Sequence, residues 1–157
     1  MPFSGPIVVG HDGSSFADQA LRWALVLAER AHMPVTIVRA WTMRTAPKPK
    51  THEFGYVPPA SDYADAVRER LEEQTRELLA AHPDVEVTLK VERGQPATVV
   101  VEASEGASLL VVGPRGLGGF KGLMLGSVSE HAVGSAPCPV VVVRGADEDP
   151  AQSEPEA

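Results

Sequence analysis

Residues 113–127 read GPRGLGGFKGLMLGS, with six glycines, one arginine, one lysine and a closing serine. Ordering glycine costs more backbone entropy than ordering any other residue, so such a cluster asks for a purpose. Anion binding is one: glycines let backbone N–H groups approach a phosphate with no side chain between. Gly126-Ser127 stands where a helix would begin. A helix N-terminus adds unpaired N–H groups and the positive end of a macrodipole. Arg115 and Lys121 bring charge, and the Ser127 hydroxyl can donate to a phosphate oxygen. Ser127-x-x-Glu130 also spells a capping box, so the serine has two readings that the sequence leaves open. A second polar stretch, His11-Asp12-Gly13-Ser14, follows the first apolar run. Asp12-Gly13 can form a plain turn or place a carboxylate at a site, while Ser14 and Ser15 suit helix N-caps.

Other chemistries find less to work with. A Walker A loop needs Lys-Ser/Thr directly after its last glycine, and the dinucleotide fingerprint GxGxxG follows a first strand; neither pattern occurs. Histidines 11, 32, 52, 82 and 131 show no ligand spacing, so no metal site is expected. There is no Ser-His-Asp spacing, zinc set or carboxylate pair, and no catalytic residue is assigned. The one cysteine, Cys138, cannot build an internal disulfide framework and fits a reducing cytoplasm as a small apolar core residue.

The elements that must position these residues emerge from the hydrophobic pattern. Five β-branched runs cover 6–10, 35–40, 85–91, 108–112 and 139–143. Four are nearly continuous in apolar character, as strands covered on both faces are. The third alternates apolar and polar residues, as an edge strand with one wet face does. Between them lie helical stripes: Ala17, Leu21, Ala24, Ala28 and Ala31; then Tyr63, Val67, Leu71 and Leu78. A third helix opens at Pro96, and a fourth runs from Ser127 to before Ala136-Pro137. This β-α alternation predicts an α/β fold: a five-stranded, mostly parallel sheet with helices on both faces. Ligands of such sheets sit beyond the carboxyl ends of the strands, which brings 11–14, the end of strand two near Ala40 and the glycine segment together. Residues 42–60, with four prolines and no periodicity, read as a flap or an unstructured excursion.

Net charge is −7, but the last twelve residues, ADEDPAQSEPEA, hold five acids and no base, leaving −2 on the rest. We expect one domain over 1–145 and a disordered acidic tail over 146–157. Without a basic face, no nucleic-acid partner is expected. With no run near the roughly 20 apolar residues that span a bilayer, and no signal-like N-terminus, no membrane partner is expected either. A cytoplasmic location is the expectation.

Gly113-x-x-Gly116, nine residues, then Gly126-Ser127 resembles the G-2x-G-9x-G-(S/T) signature of ATP-binding universal stress proteins. IVVGHDGSS resembles the start of that family and APCPVVVVR its last strand, so the resemblance spans residues 5–144. It implies a Rossmann-like strand order 3-2-1-4-5. It implies ATP, accompanied by Mg²⁺, as the ligand: Asp12 beside the nucleotide, Ala40 lining the adenine pocket through its backbone, and Gly113, Gly116, Gly126 and Ser127 on ribose and phosphates. Gly13, Arg115 and Val128 complete the expected binding set. It also implies a homodimer formed through the last strand. Pro114 departs from the pattern, since relatives often carry a residue with an amide proton there. The function implied is a nucleotide-dependent regulator of the stress response. A slow ATPase or nucleotidyl- or phosphoryl-transfer enzyme on the same site, and a nucleotide-independent dimeric module, stand as alternatives.

Overall fold

The computed structural model describes residues 3–117 and 124–145. Lys121, Gly118, Gly119, Gly122 and the acidic tail lie outside the described residues.

Strands β1 (Ile7–Gly10), β2 (Val35–Trp41), β3 (Val87–Arg93), β4 (Leu109–Val112) and β5 (Val140–Val142) alternate with helices α1 (Ser15–Ala31), α2 (Ala60–Ala80), α3 (Pro96–Ala103) and α4 (Ser127–Ser135). All strand pairings are parallel, in the order β3-β2-β1-β4-β5, as expected. β3 is an edge, and its residues are half-buried or exposed, which explains its alternating sequence. Its ladder lies two residues later than the apolar run suggested, because pairing begins at Val35↔Val87.

Alternation sends successive strand residues to opposite faces. Ile7 and Val9 of β1, Ile37 of β2 and Val111 of β4 meet Leu21, Leu25 and Leu71 of α1 and α2 on one face. Val8, Val38, Leu110 and Val112 meet Val99, Val100 and Ala132 of α3 and α4 on the other. Trp41 and Tyr63 stack at 6.4 Å between ring centroids and extend the first layer.

The helices follow their local signals with two adjustments. Ser14 caps α1, its Oγ accepting from the Ala17 amide at 3.2 Å. Ala20 and Leu25 join the α1 stripe, whereas Ala31 is exposed. In α2 Thr75 joins Leu71 as a fully buried residue while Leu78 is half-buried, the Thr75 hydroxyl donating to the Leu71 carbonyl at 2.8 Å. That internal bond is what lets a threonine sit in the core. Pro96 opens α3, where its missing N–H costs nothing.

Candidate functional site

A cavity of about 400 Å³ opens at the carboxyl ends of β1, β2 and β4. Its apolar wall is built by Val38, Ala40, Pro96, Val100 and Val112. The rim opposite is the exit from β4, Gly113 to Leu117, together with the start of α4, Gly126 to Ser129. Asp12 borders both. Of the expected site residues, Asp12, Ala40, Gly113, Arg115, Gly116, Gly126, Ser127 and Val128 line this one space. Gly13 does not. It turns away with φ 91°, and its amide donates to His11 Nδ1 at 3.2 Å. No residue of the 42–60 loop lines the cavity.

The glycine segment is pinned at two points. Asp12 Oδ2 accepts the Leu117 amide at 2.8 Å, while Oδ1 accepts the Ser14 amide at 2.9 Å. A Cβ added at Gly116 would collide with Asp12 Oδ2, so only glycine lets the segment lie this close to the carboxylate. The second pin is Pro114. Its carbonyl accepts the Gly126 amide at 2.6 Å and the buried Ser129 hydroxyl at 2.9 Å. Position 114 therefore serves as an acceptor, and the amide proton that proline lacks is not what this loop uses.

α4 begins differently from the capping-box reading. The N-cap is Gly126, whose carbonyl accepts the Glu130 amide at 2.9 Å, and no side-chain cap is made. Ser127 is the first helical residue and is exposed. The first-turn amides of 127–129 have no intrahelical acceptor and stand at the cavity rim. Arg115 lies beside them, its guanidinium carbon 5.0 Å from the centre of the Phe16 ring.

Ala40 owes its place to strand lengths. The β1–β2 ladder ends at Gly10↔Val38, and the His11 amide makes the final bond, to the Val38 carbonyl at 2.9 Å. β2 runs on to Trp41. Backbone groups two residues apart on a strand face the same side. The N–H and C=O of Ala40 are thus directed to where β1 has ended, at the cavity.

Beneath Asp12 lies a polar cluster that the sequence did not announce. Arg39, within the apolar run VTIVRAW, is buried on the α1–α2 side. Its Nε donates to the His11 carbonyl, and its Nη2 donates to His11 Nδ1 at 2.9 Å and to Gln74 Oε1 at 2.8 Å. His11 Nε2 lies 2.9 Å from Asp18 Oδ1. Since Nδ1 receives two donors, it is the acceptor, and Nε2 carries the proton. Burial pushes the His11 pKa down, outweighing the bond to Asp18; the nearby Arg39 charge acts in the same direction as burial. Burial likewise pulls Arg39 below its ordinary value. For Asp12, loss of water on its packed side raises the pKa. The bonds from Ser14 and Leu117 more than offset this, and the carboxyl titrates below its ordinary range.

Residues 4–144 match the universal stress protein family. The chain belongs to that family. A universal stress protein of Mycolicibacterium smegmatis is 36% identical over 147 residues, covering 88% of this chain and 45% of the relative. Universal stress protein Rv2623 of Mycobacterium tuberculosis is 35% identical over 147 residues, covering 91% and 46%. The chain thus spans about half the length of the curated relatives it matches. Among solved structures, universal stress protein UspA from Lactobacillus plantarum superposes with a TM-score of 0.69 at 20% identity, over 90% of this chain and 99% of that one. A universal stress protein in complex with cAMP gives 0.64 at 24% identity, over 88% and 96%. The Archaeoglobus fulgidus universal stress protein in complex with dAMP gives 0.60 at 21%, over 89% and 98%. At these identities the structural likeness speaks for the fold.

Proposed function

We propose that this universal stress protein binds an adenine nucleotide, ATP foremost, and acts as a nucleotide-dependent regulator of the stress response. The observation that carries this reading is the convergence on one cavity of an apolar wall, the pinned glycine segment and the free first-turn amides of α4. The volume of about 400 Å³ suits a small organic ligand. An adenine ring fits between Val38, Pro96 and Val100, with its hydrogen-bonding edge on the Ala40 backbone. Ribose and phosphates fit along Gly113, Gly116 and Gly126, with Ser127, Val128 and Arg115 at the phosphate end. Asp12 sets the loop that receives them. Two structural neighbours are seen with cAMP and dAMP, adenine nucleotides that carry the base required here.

Among the described residues no group of three or more His, Cys, Asp or Glu is placed to hold a metal ion. Mg²⁺ would accordingly arrive on the nucleotide phosphates, with Asp12 the nearest carboxylate. Both Asp12 oxygens already accept amides, which favours binding over a hydrolytic role. We further propose a domain over 1–145 with an appended acidic tail over 146–157, and a cytoplasmic protein. β5, a half-buried edge strand, is the surface proposed for homodimer contact.

The test is direct. Protein purified without added nucleotide is denatured, and the released small molecules are identified; calorimetry then follows ATP-Mg binding to stripped protein. Release of adenine nucleotide and a micromolar dissociation constant are expected. An empty supernatant together with no heat at micromolar concentrations sinks the reading. Phosphate release abolished by Asp12→Ala, with nucleotide binding retained, would favour the enzyme alternative.

A further inference from the structure

We propose that Arg39 and His11 form a buried positioning pair for Asp12, so that nucleotide affinity at this site is linked to the protonation of His11. The inference rests on the nucleotide-binding reading above and names its regulation.

Asp12 is held from both sides. The carbonyl before it, on His11, is fixed by Arg39 Nε. The amide after it, on Gly13, is fixed by His11 Nδ1 at 3.2 Å. These bonds fix the peptide planes on either side of Asp12 and so set where its side chain leaves the backbone, and its Oδ2 is what accepts the Leu117 amide of the glycine segment. The position of the phosphate-facing loop therefore traces back to one ring nitrogen. Nδ1 accepts from Arg39 Nη2 and from Gly13 only while it keeps its lone pair.

A proton on Nδ1 turns that acceptor into a donor facing two donors. It also sets a positive ring 2.9 Å from a buried guanidinium. Both bonds must then break, and both anchors of Asp12 are affected. The groups that face the ring or its partner are Asp18 from α1, Asp12 itself, Arg39 from β2, and Gln74 and Arg70 from α2. Asp18 alone of these touches the ring as an acid, and it binds the far nitrogen. Proton uptake is thus opposed on the side that governs Asp12 and supported on the side that does not. Linkage makes the effect reciprocal: a nucleotide that needs the pinned loop lowers the proton affinity of His11, and acid weakens the nucleotide.

The test reads the pair first without ligand. In the nucleotide-free protein, NMR follows the His11 ring and the Leu117 and Gly13 amides across pH. These amides should shift with the ring's midpoint, which lies below that of an ordinary histidine. Asp18→Asn removes the acid hydrogen-bonded to the ring and should lower ring and amide midpoints together. Arg39→Met should raise the ring midpoint and uncouple Leu117 from it; Gln74→Leu, which removes one bond of Arg39, should do so in part if Arg39→Met fails to fold. With ATP-Mg, wild-type affinity should fall about fivefold from about pH 7.5 to below the ring midpoint. In His11→Gln that His11-linked fall should disappear. Leu117 and Gly13 amides indifferent to the ring's titration would overturn the proposal. Amides that follow the ring in a protein binding no nucleotide at any pH would leave the positioning pair standing and remove the nucleotide-binding reading instead.

Discussion

The sheet carries a hollow at each end, of about 400 Å³ at the carboxyl ends of the strands and about 360 Å³ at the amino ends. Their sizes are alike; their walls are not. The second is lined by Phe3, Ile7, Leu27, Ala31, Met33 and Leu109, all apolar side chains. The first combines an apolar wall with Asp12, Arg115, a glycine-rich backbone and a helix N-terminus. Parallel topology produces the difference. Every strand of this sheet runs the same way and every connecting helix runs back, so the N-termini of α1, α3 and α4 gather at one end. Unpaired N–H groups and positive dipole ends collect there, and unpaired carbonyls collect at the other. Volume alone does not make a ligand site; convergent polar groups do.

The largest break in this comparison is expected from Gly116→Leu. A side chain at 116 meets Asp12 Oδ2, so either the carboxylate or the glycine segment must give way. We predict a loss of ATP-Mg affinity of about 100-fold or more by calorimetry, about 2.7 kcal/mol. Gly116 lies on the rim and outside the buried core, so the melting curve should remain cooperative. Unchanged affinity would show that the pinned segment is not the ligand's seat.

Asp12→Asn is next. An amide can accept only one of the two N–H groups that the carboxylate now holds. We expect affinity to fall about tenfold, a charge-assisted bond being worth about 1.5–3 kcal/mol when lost without replacement. The pH dependence has a defined sign. Asp12 titrates below its unfolded value, so its contribution to stability is present above the unfolded pKa and lost as pH falls through the folded one. Denaturant unfolding at stepped pH should show a shallower acid limb in the variant, by less than about 1 kcal/mol because the side chain is exposed.

The polar end of the sheet was legible in the sequence; the apolar hollow at the other end, and the buried cluster beneath Asp12, were not. Five β-branched runs alternating with helical stripes specify the sheet, and the spacing of Gly113, Gly116 and Gly126-Ser127 points to residues that line one cavity at the carboxyl ends of the strands. Arg39 was missed because a charge in a strand ordinarily reads as a wet face. Its partners His11 and Gln74 lie 28 and 35 positions away, beyond the reach of any local pattern. The available signal was the conflict itself, one arginine inside the apolar run VTIVRAW. Ser127 shows the converse. Its spacing to Glu130 spells a cap, yet Gly126 takes the cap position, and Ser129 supplies the hydroxyl bond back to Pro114 and Gly126.

That shift by one residue sharpens a third prediction. Were Ser127 a cap, Ser127→Ala would cost about 1 kcal/mol of stability. As an exposed first-turn residue it should cost less than about 0.5 kcal/mol, the range of ordinary surface changes. The ligand should feel the change more, with affinity falling about fivefold for one lost hydrogen bond. Thermal unfolding and calorimetry on the same preparation separate the two costs, and a destabilised variant with full affinity would restore the capping reading.

The smallest expected effect lies at the other end of the sheet. Ala31, near the C-terminus of α1, is exposed beside the apolar hollow. Ala31→Leu keeps a good helix former and adds apolar atoms where, among the described residues, Phe3, Ile7, Leu27, Met33 and Leu109 line the hollow. We predict a stability gain of about 0.5–1 kcal/mol from filling that space, read as a raised melting temperature. Nucleotide affinity should stay within about twofold, since α1 reaches the cavity at the carboxyl ends of the strands through its opposite end, near Ala17. The pair of readouts decides what kind of body the sheet is. A change in affinity beyond about threefold would mean that packing at one end is transmitted along α1 to the Ser14 cap and the Asp12 turn. The two hollows would then be coupled parts of one device. An unmoved affinity would leave them independent, one equipped with polar groups for a ligand and the other an unfilled gap in the packing.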